Sequence, residues 1–207
     1  VVKAKICGIT RLEDALLAER WGAWALGFIL VPSSKRYRPP EHYALISRVL
    51  GPFVARVGVF QDAPPEAVLE AMRTARLQVV QLHGDEPPEW AEALRSHFPV
   101  VKAFKLSGPA DPRLADYPAD ALLLDGASPG SGQGYPLEWL EPLRHHPRLI
   151  VAGGLTPENL GPVLALKPYA VDVSSGVEEA VGLKSPDKLR AFLQAVDNSR
   201  SIVEACG

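Results

Sequence analysis

Two residues able to move protons near neutral pH stand at the ends of short apolar runs: Cys7 closes KAKIC and Asp125 closes ALLLD. A free thiol has a pKa of about 8.5, so it serves as a base only beside a positive group or a helix start. Lys5 lies two residues before Cys7 and faces the same way along an extended strand. A carboxylate at an apolar mouth suits a general acid. Each residue also has a plainer reading, the cysteine as a small buried hydrophobe and the aspartate as a turn cap. Taken together, an acid and a base from well-separated runs flank a substrate from both sides and point to proton transfer, for instance isomerisation.

Other polar residues follow the same kind of run. Arg36, in SSKRYR, is either a solvated loop residue or a fork that holds a carboxylate through two bonds. His83, in QLHGDE, reads as a metal ligand, a base or a turn residue. No second histidine stands at ligand spacing from it, since His145 and His146 lie far along the chain, so no metal site is expected. Two turns, Gly153-Gly154 and Ser174-Ser175-Gly176, expose backbone N–H groups, and the TPENL that follows the first reads as a helix start at Thr156-Pro157. Such a pair reads either as two ordinary turns or as a phosphate site. Gly132 and Gly134, after Asp125, add to the glycine-rich rim.

The elements that position these groups form one repeating pattern. Short apolar runs cover 3–7, 25–29, 55–60, 79–82, 100–105, 121–124, 149–152 and 170–173. They read as buried parallel strands. Amphipathic segments lie between them at 11–21, 42–50, 66–75, 88–97, 137–144, 157–166 and 186–196, many with proline in the first turn. Thr10 with Glu13 reads as a capping box. The Pro-rich stretch 107–120 allows a short helix or none. Eight strands in strict alternation with helices predict a single (β/α)₈ barrel over 1–207, with a short extension after about 197. The alternative, a doubly wound sheet, wants a GxGxxG turn after the first strand, where this chain has CGIT. Closure of a barrel sets the last strand beside the first, so Lys5 is expected to pair with Asp172 beneath the site.

Composition narrows the function classes. The chain has 207 residues, 47% of them hydrophobic, and a net charge of −2. That charge leaves no electrostatic footprint for nucleic acid or an acidic membrane. No apolar run approaches a membrane span, and VVKAKICGIT lacks the zones of a signal peptide, so the cytoplasm is the default. Cys7 and Cys206 lie at opposite ends of the chain and are not expected to form a disulfide. Twenty prolines fit a rigid, heat-adapted chain or a coding bias equally well. Monomer and homodimer stay equally open.

In order, KICGIT, SSKRY, GVFQD, QLHGDE, the loop after LLLD, VAGGLTPENL and VDVSSGVE resemble the phosphoribosylanthranilate isomerases. The resemblance spans Lys5 to about Phe192. It implies a cofactor-free Amadori rearrangement of N-(5-phosphoribosyl)anthranilate. In that reading Cys7 is the base that takes the C2′ proton, Asp125 the acid that protonates the ring oxygen, and Arg36 the holder of the anthranilate carboxylate. Gly154, Ser175 and Gly176 resemble backbone phosphate donors, with Gly153 and Ser174 in the same turns and Gly132 and Gly134 lining that side. His83 resembles a loop residue on the substrate side. The chain departs from the family at Ser131-Gly132-Gln133-Gly134 and at Lys184-Ser185, the latter expected to alter only the cap of the last helix. Rival readings are an indoleglycerol-phosphate synthase, expected to carry catalytic lysines, a histidine-pathway isomerase, expected to carry two aspartates, and a phosphometabolite-binding module without catalysis.

Overall fold

The computed structural model describes residues 1–126 and 134–204, with residues 200–204 as helical backbone alone. Eight parallel strands close into a barrel in chain order: β1 (Lys3–Ile6), β2 (Ala25–Ile29), β3 (Ala55–Phe60), β4 (Val79–Leu82), β5 (Val100–Leu106), β6 (Ala121–Gly126), β7 (Leu149–Val151) and β8 (Ala170–Val173). The expected (β/α)₈ architecture is the observed one. β8 closes against β1 with Lys5 in register with Asp172.

Side chains alternate across each strand, and the sequence sorts them into two cores. Leu26 and Phe28 of β2, Leu124 of β6 and Val171 and Val173 of β8 belong to the large cluster between barrel and helices. Ala103, Leu123, Ile150 and Ala170 belong to a small cluster inside the barrel. The same alternation carries Lys5, Cys7, Asp125 and Asp172 toward the axis at the C-terminal ends of their strands, where barrel enzymes place their chemistry.

The surrounding helices are α1 (Leu12–Arg20), α2 (Pro40–Val49), α3 (Pro65–Ala75), α4 (Pro88–Arg95), α5 (Leu160–Ala165) and α6 (Pro186–Glu204). Helices α2, α3 and α4 each begin at the second residue of a Pro-Pro pair. The second proline holds the first in extended backbone, and its missing N–H costs nothing at the first helical position.

Four local expectations need correction, and one element was not expected. The capping box at Thr10 does not form: Arg11 stands at the N-cap with no side-chain cap bond, and the Thr10 hydroxyl donates to the Gly182 carbonyl. The segment after β6 is a 3₁₀ helix, Leu137–Leu143, with Pro142 inside it, whose ring in an α-helix would clash with the carbonyl four residues back. The helix expected from Pro157 is shorter: Thr156 and Asn159 exchange side-chain bonds in a turn, and α5 starts only at Leu160. The last helix runs well past residue 197, to Glu204. Finally, a hairpin of β9 (Glu178–Ala180) and β10 (Leu183–Lys184) stands between β8 and α6. The Pro-rich stretch 107–120 holds one short 3₁₀ helix, Pro112–Asp116. Among the described residues no helix is long and apolar enough to cross a membrane.

Candidate active site

A cavity of about 180 Å³ opens at the C-terminal end of the barrel. Cys7, Arg36, His83, Asp125, Gly153, Gly154, Asp172 and Ser174–Gly176 all line it, so nearly every residue singled out in the sequence converges there. Gly134 lines a neighbouring pocket instead, with Tyr135 and Gly153. Gly132 and Cys206 lie outside the described residues. A second cavity, about 350 Å³, opens at the opposite end of the barrel beside Lys3, Trp24 and Tyr169. That end of the fold serves stability rather than chemistry.

Cys7 follows β1, and its N–H donates to the Val173 carbonyl on β8 at 2.8 Å. It is a buried free thiol. Gly27 makes room for it, since a Cβ there would come within 2.7 Å of the Cys7 sulfur. Below it Lys5 Nζ meets Asp172 Oδ2 at 2.9 Å, the pair expected from barrel closure. Burial works against the Lys5 charge, but Asp172 and Cys7 outweigh it and raise the lysine's pKa. Burial pushes the Cys7 thiol up, Lys5 and Lys184 pull it back toward the thiolate, and Asp172 opposes them.

Asp125 is the second-last residue of β6, across the barrel from Cys7, with β7 and β8 between them on the shorter side. His83 Nε2 stands 3.4 Å from Asp125 Oδ2, and its Nδ1 lies 3.0 Å from the amide nitrogen of the buried Gln81. With that amide as donor, the ring proton sits on Nε2 and faces the carboxylate.

The turn at Gly153 and Gly154 has φ of 91° and 66°. Asn159 donates to the Gly154 carbonyl at 2.8 Å and so braces it from behind. Opposite, Gly176 packs against the Leu155 backbone so closely that a Cβ would fall on its carbonyl oxygen. α5 begins only at Leu160, so the candidate anion cradle is the Gly153–Gly154 turn together with the start of the 3₁₀ helix Ser175–Val177, with Ser174 at its N-cap position. We expect Gly176→Ala to force the two turns apart and weaken binding of inorganic phosphate at least tenfold, read by calorimetry; unchanged affinity would remove Gly176 from the cradle.

Three features escaped the sequence reading. Arg36 is not free to offer its whole fork: Nε and Nη2 grip Glu178 at 2.7 and 2.6 Å. Burial resists the charge on Glu178, yet Arg36 and Lys184 hold its carboxyl below the usual range. Lys184, expected only to affect a helix cap, is 1% exposed and reaches into the site's backbone, while Ser185 accepts from the Lys188 N–H as a cap does. Behind His83, Lys102 and Glu86 form a buried pair at 2.7 Å. Acidic and basic residues this far apart in sequence leave no local spacing signal.

A closed (β/α)₈ barrel whose mouth sets a thiol across from a carboxylate, beside glycine-rich turns, has the architecture of a barrel enzyme. Residues 4–195 match the profile of the N-(5'phosphoribosyl)anthranilate (PRA) isomerase family. The isomerase of Trichlorobacter lovleyi is 44% identical over 202 residues, which cover 94% of this chain and 97% of that one. The crystal structure of the Thermus thermophilus phosphoribosyl anthranilate isomerase aligns with a TM-score of 0.92 and 62% identity, over 95% of this chain and 99% of that one. A second crystal structure, the isomerase in complex with reduced 1-(o-carboxyphenylamino)-1-deoxyribulose 5-phosphate, aligns at 0.88 and 40% identity, over 96% of this chain and 100% of that one. The chain belongs to the phosphoribosylanthranilate isomerase family.

Proposed function

We propose that this pocket converts N-(5-phosphoribosyl)anthranilate to 1-(2-carboxyphenylamino)-1-deoxyribulose 5-phosphate, with Cys7 as base and Asp125 as acid. The chain is thus an isomerase of tryptophan biosynthesis, acting in the cytoplasm on a small phosphosugar. The observation that carries the reading is the placement of a thiol and a carboxylate on opposite walls of one pocket, next to the cradle of Gly153–Gly154 and Ser174–Gly176.

Asp125 gives its proton to the furanose ring oxygen, and the ring opens to a Schiff base. His83 keeps the carboxyl aimed inward. The Cys7 thiolate then takes the C2′ proton, and the resulting enolamine tautomerises to the ketone. Both steps are proton transfers, which acid and base side chains suffice to carry. The phosphate, held away from the reacting bonds, supplies the binding that fixes C2′ near the sulfur. Arg36 meets the anthranilate carboxylate through its Nη1–Nη2 edge, since Glu178 occupies the other. Asp172 Oδ1 and Ser174 Oγ are buried, have no hydrogen-bond partner among the described residues, and belong to residues that line the pocket. They are suited to a sugar hydroxyl and a phosphate oxygen.

The test is turnover of phosphoribosylanthranilate, followed by the loss of its fluorescence. The ionisation of the thiol is a further prediction. Burial raises the Cys7 thiol, and the base must be ionised to act. So alkylation of Cys7 by iodoacetamide, followed by the mass of its peptide, should climb with pH above neutrality by about one log unit per pH unit. A flat alkylation profile from pH 7 to 9 would show that the thiol is not raised. A chain that binds the phosphosugar but does not turn it over would be a binding module.

A further inference from the structure

Lys184 is the buried cation that the acid–base steps leave unused. Its three N–H bonds go to the Cys7 carbonyl at 2.6 Å, the Ser174 carbonyl at 3.1 Å and Glu178 Oε1 at 3.2 Å. Its backbone N–H is anchored on Asp14 in α1 at 3.2 Å. Glu178, its partner, also carries Arg36 and accepts from the Gly182 N–H. One ammonium therefore joins the residue that bears the thiol, the first residue of the Ser174–Gly176 turn and, through one carboxylate, the arginine of the pocket wall.

Stability alone is a weak reason for such a group. Burying a lysine and a glutamate carries a desolvation penalty of several kcal/mol per ion, and well-packed apolar residues often serve as well. What singles out this one is the identity of its acceptors. They are the backbone carbonyls at the ends of β1 and β8, the two strands that carry base and cradle.

We propose that Lys184 is a positioning residue for proton abstraction, holding the Cys7 backbone at a set distance from the phosphate cradle and placing a positive charge beside the thiol. The inference rests on the reading of Cys7 as the base. The charges around Cys7 are Lys5 and Asp172 below it, Lys184 with Glu178 from the hairpin, and Arg36 from the loop after β2, with Tyr43 of α2 behind and His83 and Asp125 across the pocket. Burial lowers the pKa of Lys184, while Glu178 and Cys7 favour its charged form. Of the cations among the described residues, Lys184 alone also bonds the Cys7 backbone.

The experiment is Lys184→Met, read in two assays. The first is steady-state turnover of phosphoribosylanthranilate. The second is alkylation of Cys7 by iodoacetamide across pH, followed by the mass of its peptide, a readout that does not depend on activity. The expected result is a fall in kcat of about 10–100-fold, as for a displacement near 1 Å, and a Cys7 alkylation profile moved to higher pH. An unchanged alkylation profile would overturn the proposal whatever happens to the rate, since a merely structural lysine would leave the thiol's ionisation alone. Should Lys184→Met fail to fold, Lys184→Gln keeps a donor for the carbonyls without the charge and is held to the same two outcomes. Cys7→Ser keeps the two readings apart. If it stays fully active, the assignment of the base fails, while a shifted profile in the Lys184 variant would still place the lysine's charge on the thiol.

Discussion

Cys7→Ala should lower kcat by about 10²–10⁴-fold or more, a rise of roughly 2.7–5.5 kcal/mol in the barrier, while the protein stays folded. The thiol is small and buried, and it makes its strand contact through its own N–H to the Val173 carbonyl, which alanine keeps. Lys5 keeps Asp172 as a partner when the sulfur is gone. Little in the fold therefore depends on the sulfur, and the loss falls on the chemical step. Asp125→Asn should cost as much, because the amide fills the same space beside His83 but has no acidic proton to give. Both variants should bind the reduced product analogue with near wild-type affinity, since the cradle is untouched. Rates within tenfold of wild type in either would show that proton transfer runs through another group.

The second large effect is on stability. In Lys102→Met, the Glu86 carboxylate, whose side chain is wholly inaccessible, loses the ammonium at 2.7 Å. It still accepts from the N–H groups of Asp62 and Gly84, so it stays in place without its counter-ion. Removing one member of a buried pair typically costs about 3–5 kcal/mol, a large part of the roughly 5–15 kcal/mol that holds a domain together. For a chain of this size that amounts to about 6–20 °C in Tm, measured by thermal denaturation. The Gly84 carbonyl loses its lysine bond too. Gly84 follows His83, so the residue beside Asp125 should be less well aimed and kcat should fall modestly. A change in Tm below 2 °C would show that the pair is not needed to hold the loop.

Much of this molecule was legible before folding. Four strands begin and end where the apolar runs do, at Ala25–Ile29, Ala55–Phe60, Val79–Leu82 and Ala170–Val173. The two-residue period of a strand sends alternate side chains to one face wherever the strand lies in space. That put Lys5 and Cys7 on the axis together, and Asp125 there too. Closure of eight strands in order puts β8 beside β1, so the Lys5–Asp172 pair followed from topology and pattern alone. Proline in the first turn went with helix starts read at 42, 66 and 88, against Pro40, Pro65 and Pro88 in the structure, because its effect is confined to adjacent residues.

Local signals failed where the partner is remote. Thr10 has the residue type of a cap, but the Gly182 carbonyl in the β9–β10 turn takes its hydroxyl. The hairpin itself went unread because its strands are only three and two residues long, too short for a period of two to show. Arg36 meets Glu178 across 142 positions and Lys184 meets the Cys7 carbonyl across 177. No spacing rule reaches that far, and a charged side chain reads as surface until the structure surrounds it. The sequence by itself determined which side chains would point into the barrel, since that depends on a repeat of two residues. Only the tertiary structure decided which charges from the loops and the hairpin would join them, as Arg36 with Glu178 and Lys184 with the Cys7 carbonyl, because those contacts follow distance in space and desolvation, and chain order encodes neither.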